Sequence, residues 1–227
     1  MFLKRFRVKG VAHETSELVR ITEDELKTKF VSGAAVIDVR PGAQFAEGHI
    51  PGSLNIGLAN ATFASCAGQI LGKDRQIFLV VARAEDAMRA QADLARAGFS
   101  QIQGFIEADD LRELHKLTQL SVSDLISTLL RGGKPAILDV RSKGEWKSDG
   151  ICESRNIPLA QLKTRVSELS STSPLVVVCQ DGYQSAAASS WLQANGFDSI
   201  QHLAGGMDAY TGESAEETEE AFSVNRW

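Results

Sequence analysis

An internal repeat with an offset of about a hundred residues constrains the fold of this chain more than any other feature. The segment AAVIDVR at 34–40 returns as PAILDVR at 135–141. The segment GFSQIQGF at 98–105 returns as GFDSIQHL at 196–203. This offset is far longer than the unit of a solenoid and has the length of a whole small domain. We therefore predict two copies of one domain in the 227-residue chain.

Both copies show the same order of helix and strand signals. Each opens with a helix N-cap, Thr22 or Ser121, followed three positions later by an acidic residue. Alanine-rich stretches that stop at Gly98 and Gly196 predict helices, and short apolar runs predict strands. The predicted strands are 34–38, 53–56, 77–81 and 100–105 in the first copy, and 136–139, 154–157, 175–178 and 198–203 in the second. This alternation predicts an α/β fold in which each domain is a parallel β-sheet flanked by helices.

These signals divide the chain into four segments. We predict an N-terminal extension at 1–20, a first domain at 21–110, a second domain at 118–210 and an acidic, flexible tail at 211–227. The connection between the two copies is short and polar, so we expect the domains to touch. The N-terminus is basic but lacks the apolar region of a secretory signal.

Composition argues against several classes of protein. A net charge of −5 disfavours nucleic-acid binding, and no apolar stretch has the length that a membrane span requires. The three cysteines, Cys66, Cys152 and Cys179, suggest neither a disulfide framework nor a zinc site. We therefore predict a protein of the reducing cytoplasm without a metal site. Cys66 and Cys152 are expected to be structural or partly exposed thiols, with Cys152 as a resolving thiol for Cys179 as the alternative.

The stretch VVVCQDGYQS carries the candidate nucleophile. Cys179 directly follows the predicted strand 175–178, and a loop with a glycine then leads into a helix. Functional groups gather at the carboxyl ends of strands in a parallel sheet. Gly182 permits a tight turn whose N–H groups point inward, so we expect a cradle that lowers the pKa of Cys179 and holds an anion. The alternative interpretation is a buried cysteine that completes a core strand.

A family resemblance covers both copies. The succession of DVR, NIP, VVVCQDGYQSAAAS, GF and LAGGMDAY is similar to the rhodanese domain. The resemblance implies a sulfurtransferase that carries sulfane sulfur as a persulfide on Cys179, without a cofactor. It implies as partners thiosulfate, glutathione persulfide, sulfite, cyanide or thiols, or a protein sulfur carrier. The implied active loop and helix start comprise Gln180, Asp181, Gly182, Tyr183, Gln184 and Ser185.

Loop length and charge narrow the substrate. Related phosphatases have a longer loop and an arginine six residues after the cysteine, where this chain has Ser185. Without a guanidinium fork, phosphate recognition is a poor fit. Many rhodaneses have a basic residue at the position of Gln184, and Asp181 makes this loop acidic instead. We therefore expect a low-molecular-weight persulfide to be a better donor than the thiosulfate dianion.

The first copy lacks the nucleophile. Alignment of the repeats places Val81 at the position of Cys179, and Ala84 and Ala87 at the positions of Gly182 and Ser185. Valine cannot carry sulfur, so this copy is predicted to be inactive. The arrangement resembles the rhodanese repeats of fusion proteins with a persulfide dioxygenase of metallo-β-lactamase type, but the histidine run of that metal domain is absent from the sequence. The competing hypothesis is a non-catalytic rhodanese pair that binds a partner or senses sulfur or redox state.

The sequence also suggests structural roles for other polar residues. Asp139 and Arg141 end the first strand of the second copy and are expected to organise loops, through an Arg141–Glu145 or an Asp139–backbone contact. Binding of a substrate anion by Arg141 is the alternative. His49 has no counterpart in the second copy and is expected to be hydrogen-bonded near a strand start. His202 is expected at a strand end without a catalytic role.

Overall fold

Two parallel five-stranded sheets make up the fold. The computed structural model describes residues 18–212. The strand order is β1-β5-β4-β2-β3 in the first sheet and β6-β10-β9-β7-β8 in the second, so the repeat in sequence is a repeat in topology. Every pairing within the two sheets is parallel. The predicted α/β architecture of two sheets flanked by helices is confirmed.

The first sheet and its helices are built from residues 19–107. The strands are Val19–Arg20 (β1), Ala35–Asp38 (β2), Leu54–Asn55 (β3), Ile77–Val81 (β4) and Ile102–Glu107 (β5). The helices are Glu23–Val31 (α1), Gly42–Glu47 (α2), Phe63–Ile70 (α3) and Ala84–Arg96 (α4). The predicted strand at 77–81 has the bounds of β4, because a fully buried central strand is apolar over its whole length.

The second sheet and its helices are built from residues 118–203. The strands are Thr118–Leu120 (β6), Ala136–Asp139 (β7), Arg155–Asn156 (β8), Leu175–Val178 (β9) and Ile200–Leu203 (β10). The helices are Val122–Leu130 (α5), Lys143–Asp149 (α6), Leu162–Arg165 (α7) and Tyr183–Ala194 (α8), and residues 206–212 are also helical. Short 3-10 turns lie at Ala108–Asp110, Leu159–Gln161 and Val166–Glu168.

The helix caps form where the sequence places them. The Thr22 side chain accepts from the Glu25 N–H in a full capping box, and the Ser121 side chain accepts from the Asp124 N–H. The edge strands β1 and β6 were not predicted, because two or three largely exposed residues carry no hydrophobic pattern. Residues 19–20, predicted within the N-terminal extension, pair with β5. Of the tail predicted at 211–227, residues 211–212 continue the helix that begins at residue 206, and the rest lies outside the described residues.

A buried polar arrangement closes the carboxyl edge of each sheet. The Asp139 carboxylate pairs with the Arg141 guanidinium at 2.8 Å. It also accepts the Arg141 backbone N–H at 2.9 Å, which is the predicted contact between Asp139 and the backbone. Asn156 donates from Nδ2 to the carbonyls of both residues, at 3.0 and 2.9 Å. We call Asp139, Arg141 and Asn156 the strand-end triad. Its equivalents in the first sheet are Asp38, Arg40 and Asn55.

The two domains contact each other through polar and apolar groups. The Asn55 N–H at the edge of the first sheet donates to Ser190 Oγ of α8 at 2.9 Å. The Tyr183 hydroxyl donates to the Gly57 carbonyl at 3.0 Å. One continuous cluster of buried apolar side chains includes residues of both domains. The expectation that the domains touch is therefore confirmed. No helix within residues 18–212 is long and apolar enough to cross a bilayer.

The strand-end triad yields a stability prediction. Asp139→Ala leaves the Arg141 guanidinium, only 1% exposed, without its buried carboxylate. Arg141 then keeps only the partly exposed Asp149 as a counter-charge, and removal of one partner of a buried ion pair is costly, so we expect the free energy of unfolding to fall by about 3–5 kcal/mol in urea titration. The control is Glu168→Gln, which removes an exposed ion pair with Arg165 and should leave the urea midpoint nearly unchanged. Equal effects of the two substitutions on the free energy of unfolding would contradict the conclusion that the buried pair of Asp139 and Arg141 stabilises the fold.

Candidate active site

Cys179 lies at the carboxyl edge of the second sheet, at the end of its central strand. Asp139 of β7 pairs with Val178 of β9, so Cys179 is the first residue beyond the strand. In the first sheet Asp38 pairs with Val80. This equivalent register places Val81 at the position of Cys179, as the alignment of the two repeats predicts.

The loop after Cys179 is short because the helix starts early. Gly182 is the N-cap of α8 with a φ of 90°, a left-handed conformation that favours glycine. The Asp181 carboxylate accepts from the Tyr183 N–H at 2.9 Å and so supplies the first turn with an acceptor. The helix begins at Tyr183, two residues before the expected start at Ser185. Ser185 therefore lies inside the first turn, with its side chain fully buried.

Several hydrogen-bonding groups surround the Cys179 sulfur. The thiol donates to Ser185 Oγ at 3.3 Å, and Asp181 Oδ1 lies 3.8 Å from the sulfur. The backbone N–H groups of Gly182 and Ser185 are also directed at it. The predicted cradle of inward-pointing N–H groups is therefore present at the start of α8.

The expected net shift of the Cys179 pKa is wrong in sign, although the hydrogen bonds of the cradle act in the expected direction. Cys179 is 1% exposed, and burial raises the pKa of its thiol above the ordinary value. Hydrogen bonds from Ser185 and Gly182 lower that pKa but do not offset burial, and the Asp181 charge raises it further. The hydrogen-bond donors of the loop can be inferred from the sequence, but the depth at which the sulfur is buried cannot.

His202 contacts Ser185 of the site, and the sequence did not predict this contact. It lies on β10 as expected, and its Nδ1 is 3.1 Å from Ser185 Oγ. Burial lowers the pKa of His202 to about 4, so the imidazole is neutral near pH 7. The spacing between Ser185 and His202 in sequence gives no sign of this contact, which exists because β10 is the strand next to β9.

Arg141 contacts the cysteine loop through the side chain of Gln180. Its guanidinium pairs with Asp139 and, at 3.0 Å, with Asp149, and it donates to Gln180 Oε1 at 2.8 Å. The expected partner Glu145 is wrong, because that residue instead closes a capping box with Ser142 at the start of α6. Although burial opposes it, the hydrogen bonds and charges of Asp139 and Asp149 raise the pKa of Arg141.

A glycine-containing turn holds the backbone of the cysteine loop. The Met207 N–H donates to the Cys179 carbonyl at 2.8 Å, and the Asp208 N–H donates to the Gln180 carbonyl at 2.9 Å. Gly206 has a φ of 61°, and a Cβ at this position would stand only 2.6 Å from the Gln180 carbonyl oxygen. The motif LAGGMDAY therefore acts by letting one backbone approach another closely.

A cleft of about 720 Å³ separates the cysteine loop from the first domain. The loop contributes Asp181, Gly182 and Tyr183, whereas the first domain contributes the carboxyl edge of its own sheet. Arg89 of α4 lines the cleft and makes no ion pair within residues 18–212. The first domain thus supplies a cation that the cysteine loop itself lacks. Cys179 lies behind this lining, beneath the loop.

The remaining candidate residues lie apart from the sulfur or in structural positions. Cys66 on α3 belongs to the same buried cluster as Cys179, and burial together with the Cys179 charge raises its pKa to about 12. Cys152 is exposed, and all three cysteines are free. His49 stacks on Phe45 and hydrogen-bonds the Phe45 carbonyl at 3.0 Å. No cluster of metal-ligating side chains occurs in the described part of the chain.

The topology and the site define the class of protein: an α/β domain with a cysteine loop between its central parallel strand and a helix. A family model described as the rhodanese-like domain matches the chain twice, at residues 22–106 and 122–213. Because these matches cover most of the chain, the protein belongs to the rhodanese-like domain family.

Curated relatives match parts of the chain. The uncharacterized protein YqhL of Bacillus subtilis is 37% identical over 79 residues, covering 35% of this chain and 63% of its own length. The adenylyltransferase and sulfurtransferase MOCS3 of Arabidopsis thaliana is 33% identical over 45% of this chain, but over only 26% of its own length. Thiosulfate sulfurtransferase GlpE of Shewanella oneidensis is 30% identical over 40% of this chain and 89% of its own length.

The close approach at Gly206 gives a second stability prediction. Gly206→Ala adds a left-handed alanine and a clash with the Gln180 carbonyl, so we expect a loss of about 2–4 kcal/mol in urea titration. Gly196→Ala is the matched control, because Gly196 also has a positive φ but has nothing within 4 Å of the added Cβ. It should cost only about 1 kcal/mol. The interpretation fails if Gly196→Ala proves as costly as Gly206→Ala.

Proposed function

We propose that this protein is a sulfurtransferase that carries sulfane sulfur as a persulfide on Cys179. One observation carries the proposal: the N–H groups of Gly182 and Ser185 and the Ser185 hydroxyl converge on a sulfur placed at the carboxyl edge of a parallel sheet. Such a set of donors stabilises a sulfur anion, either a thiolate or the terminal sulfur of a persulfide. Membership of the rhodanese-like family and the sulfurtransferase names of two relatives also support it.

The proposed reaction has two displacement steps. The Cys179 thiolate attacks the outer sulfur of a donor persulfide, so the donor S–S bond breaks and a donor thiolate leaves. An acceptor thiolate, sulfite or cyanide then attacks the outer sulfur of the Cys179 persulfide and regenerates the Cys179 thiolate. Sulfur moves without net oxidation, so the chain's own residues bind, orient and stabilise the anion. The Val81 copy has no sulfur at this position and takes no part in the covalent steps.

We propose a low-molecular-weight persulfide, such as glutathione persulfide, as the donor. The Asp181 carboxylate, 3.8 Å from the sulfur, repels the thiosulfate dianion where it would have to react. A cleft of about 720 Å³ is far larger than thiosulfate needs and lies in the range typical of small-molecule sites. Arg89 at its wall is suited to a carboxylate of a peptide-like donor.

Mass spectrometry tests the covalent intermediate. After treatment with glutathione persulfide and removal of excess donor, the peptide that contains Cys179 should gain the mass of one sulfur atom. Cys179→Ser should abolish sulfur transfer to cyanide, whereas Cys152→Ser, which removes an exposed thiol, should leave it intact. Sulfur transfer by Cys179→Ser at the wild-type rate would refute the proposal.

Steady-state kinetics tests the donor. We expect kcat/KM for glutathione persulfide to exceed that for thiosulfate by at least about tenfold. Asp181→Asn removes the charge but keeps the oxygen that accepts from the Tyr183 N–H, so it should narrow this ratio. The remote substitution Glu168→Gln is the control and should leave the ratio unchanged. A preference for thiosulfate in the wild-type protein would contradict the donor assignment.

A second function is favoured by the burial of the thiol. Because Cys179 is buried and its pKa is raised, a rhodanese pair that binds a partner or senses sulfur is the competing proposal. The same mass spectrometry separates the two. A module that only binds would take no sulfur on Cys179, and a sensor would take sulfur but transfer none to an acceptor. The three free thiols support a reducing compartment such as the cytoplasm for either function.

A further inference from the structure

A buried serine contacts the Cys179 sulfur, and a buried histidine contacts that serine. Ser185 Oγ lies 3.3 Å from the sulfur and 3.1 Å from His202 Nδ1. Both side chains are almost fully buried, at 0% and 4% exposure. Their hydroxyl and imidazole groups are therefore in fixed contact, and bulk water does not compete for the hydrogen bond between them.

The single proton of Ser185 limits what the serine can do. In the thiol form Cys179 donates to Ser185 Oγ, and the serine hydroxyl donates to the Gly182 carbonyl at 3.1 Å. A sulfur anion has no proton to donate and needs donors instead. The Ser185 hydroxyl can meet that need by turning its proton from Gly182 to the sulfur, provided that another donor keeps its oxygen in place.

We propose that His202 is a positioning residue: it donates from Nδ1 to Ser185 Oγ and so directs the Ser185 hydroxyl proton at the Cys179 sulfur anion. The inference rests on the proposed nucleophilic role of Cys179. On ionisation the thiol proton leaves to a buffer base, the Ser185–Gly182 hydrogen bond breaks and a Ser185–sulfur hydrogen bond forms. No proton is gained by His202, which stays neutral throughout.

The hydrogen bonds of Ser185 support the Nδ1–H tautomer, and the position of the other ring nitrogen is compatible with it. A Cβ added to Gly182 would stand 3.7 Å from His202 Nε2, and His202 lines the cleft together with Gly182. No hydrogen bond to Nε2 is found within residues 18–212. Water in the cleft can satisfy Nε2 in either protonation state. Because the one proton of Ser185 is directed at the Gly182 carbonyl, the 3.1 Å contact between Ser185 Oγ and Nδ1 requires the ring proton on Nδ1.

The other groups around the sulfur explain why the Ser185 hydroxyl is needed as a donor. The Arg141 guanidinium donates to Asp139, Asp149 and Gln180, and no hydrogen bond from it to the sulfur is found within residues 18–212. Asp181, 3.8 Å from the sulfur, opposes its ionisation. The neutral Cys66 thiol lies across the domain contact, and the Tyr183 hydroxyl belongs to the helix that follows the cysteine loop. None of these groups is an available cation.

The first domain has none of these three side chains at the equivalent positions. His202 pairs with Val177 in the second sheet, and Phe105 pairs with Leu79 in the first. Because the register of the first sheet shifts by one residue between Ile77 and Phe78, Phe105 stands where His202 stands, although the repeat aligns His202 with Gly104. Ala87 stands where Ser185 stands. The histidine, the serine and the cysteine are absent together, which is consistent with a role that serves the sulfur.

The test measures the pH dependence of Cys179 alkylation by iodoacetamide, in a Cys152→Ser background and with peptide mapping to exclude Cys66. Alkylation reports the thiolate and requires no sulfur transfer. We expect His202→Phe to shift the apparent pKa of Cys179 upward by about one unit. His202→Asn, whose amide can occupy the place of Nδ1, should restore it to near the wild-type value. His202→Gln, whose amide reaches the place of Nε2, should resemble His202→Phe and covers the case in which His202→Phe does not fold.

Two further measurements complete the test. Ser185→Ala should shift the Cys179 pKa upward at least as far as His202→Phe, and the double variant should shift it no further. Two-bond ¹⁵N–¹H correlation spectra should show His202 protonated at Nδ1. An unchanged alkylation profile in His202→Phe or His202→Gln, a failure of His202→Asn to restore it, or a proton on Nε2 would overturn the inference. Failure of sulfur transfer with these alkylation results intact would instead count against the proposed function.

Discussion

The site depends first on the buried ion pair between Asp139 and Arg141. Both side chains are at most 1% exposed, and the guanidinium reaches from the end of β7 to Gln180 of the cysteine loop. Two charges at such depth are tolerated because each has several hydrogen-bonding partners. Asn156 ties the same backbone to β8. The loop is therefore held by the sheet itself, and the turn at Gly206 and Met207 holds it from the other side.

Burial and activation of the thiol oppose each other in this site. Burial removes the Cys179 sulfur from water, which raises the pKa of the thiol. The same exclusion of water strengthens each hydrogen bond that reaches the sulfur once it is charged. The first domain, without a nucleophile of its own, takes part in both effects, because it covers the loop through the Gly57–Tyr183 contact and provides Arg89 to the cleft.

Much of the fold could be predicted from sequence because the signals were local. The central strands β4 and β9 have the predicted bounds, since continuous burial imposes a continuous apolar run. The position of Val81 opposite Cys179 followed from the repeat alone. The exposed edge strands, the partner of Arg141 and the contact between His202 and Ser185 could not be predicted, because each depends on which elements become neighbours in space.

The sequence by itself determined that there are two copies of one parallel α/β domain and that only the second carries a cysteine after its central strand. Repeat, periodicity and the glycine of the loop are properties of neighbouring residues along the chain. The tertiary structure alone decided the environment of that cysteine: its burial, the direction of its pKa shift, and the histidine and arginine that face its loop. Desolvation and long-range hydrogen bonds depend on packing between elements that are distant in sequence, and a pattern along the chain does not record them.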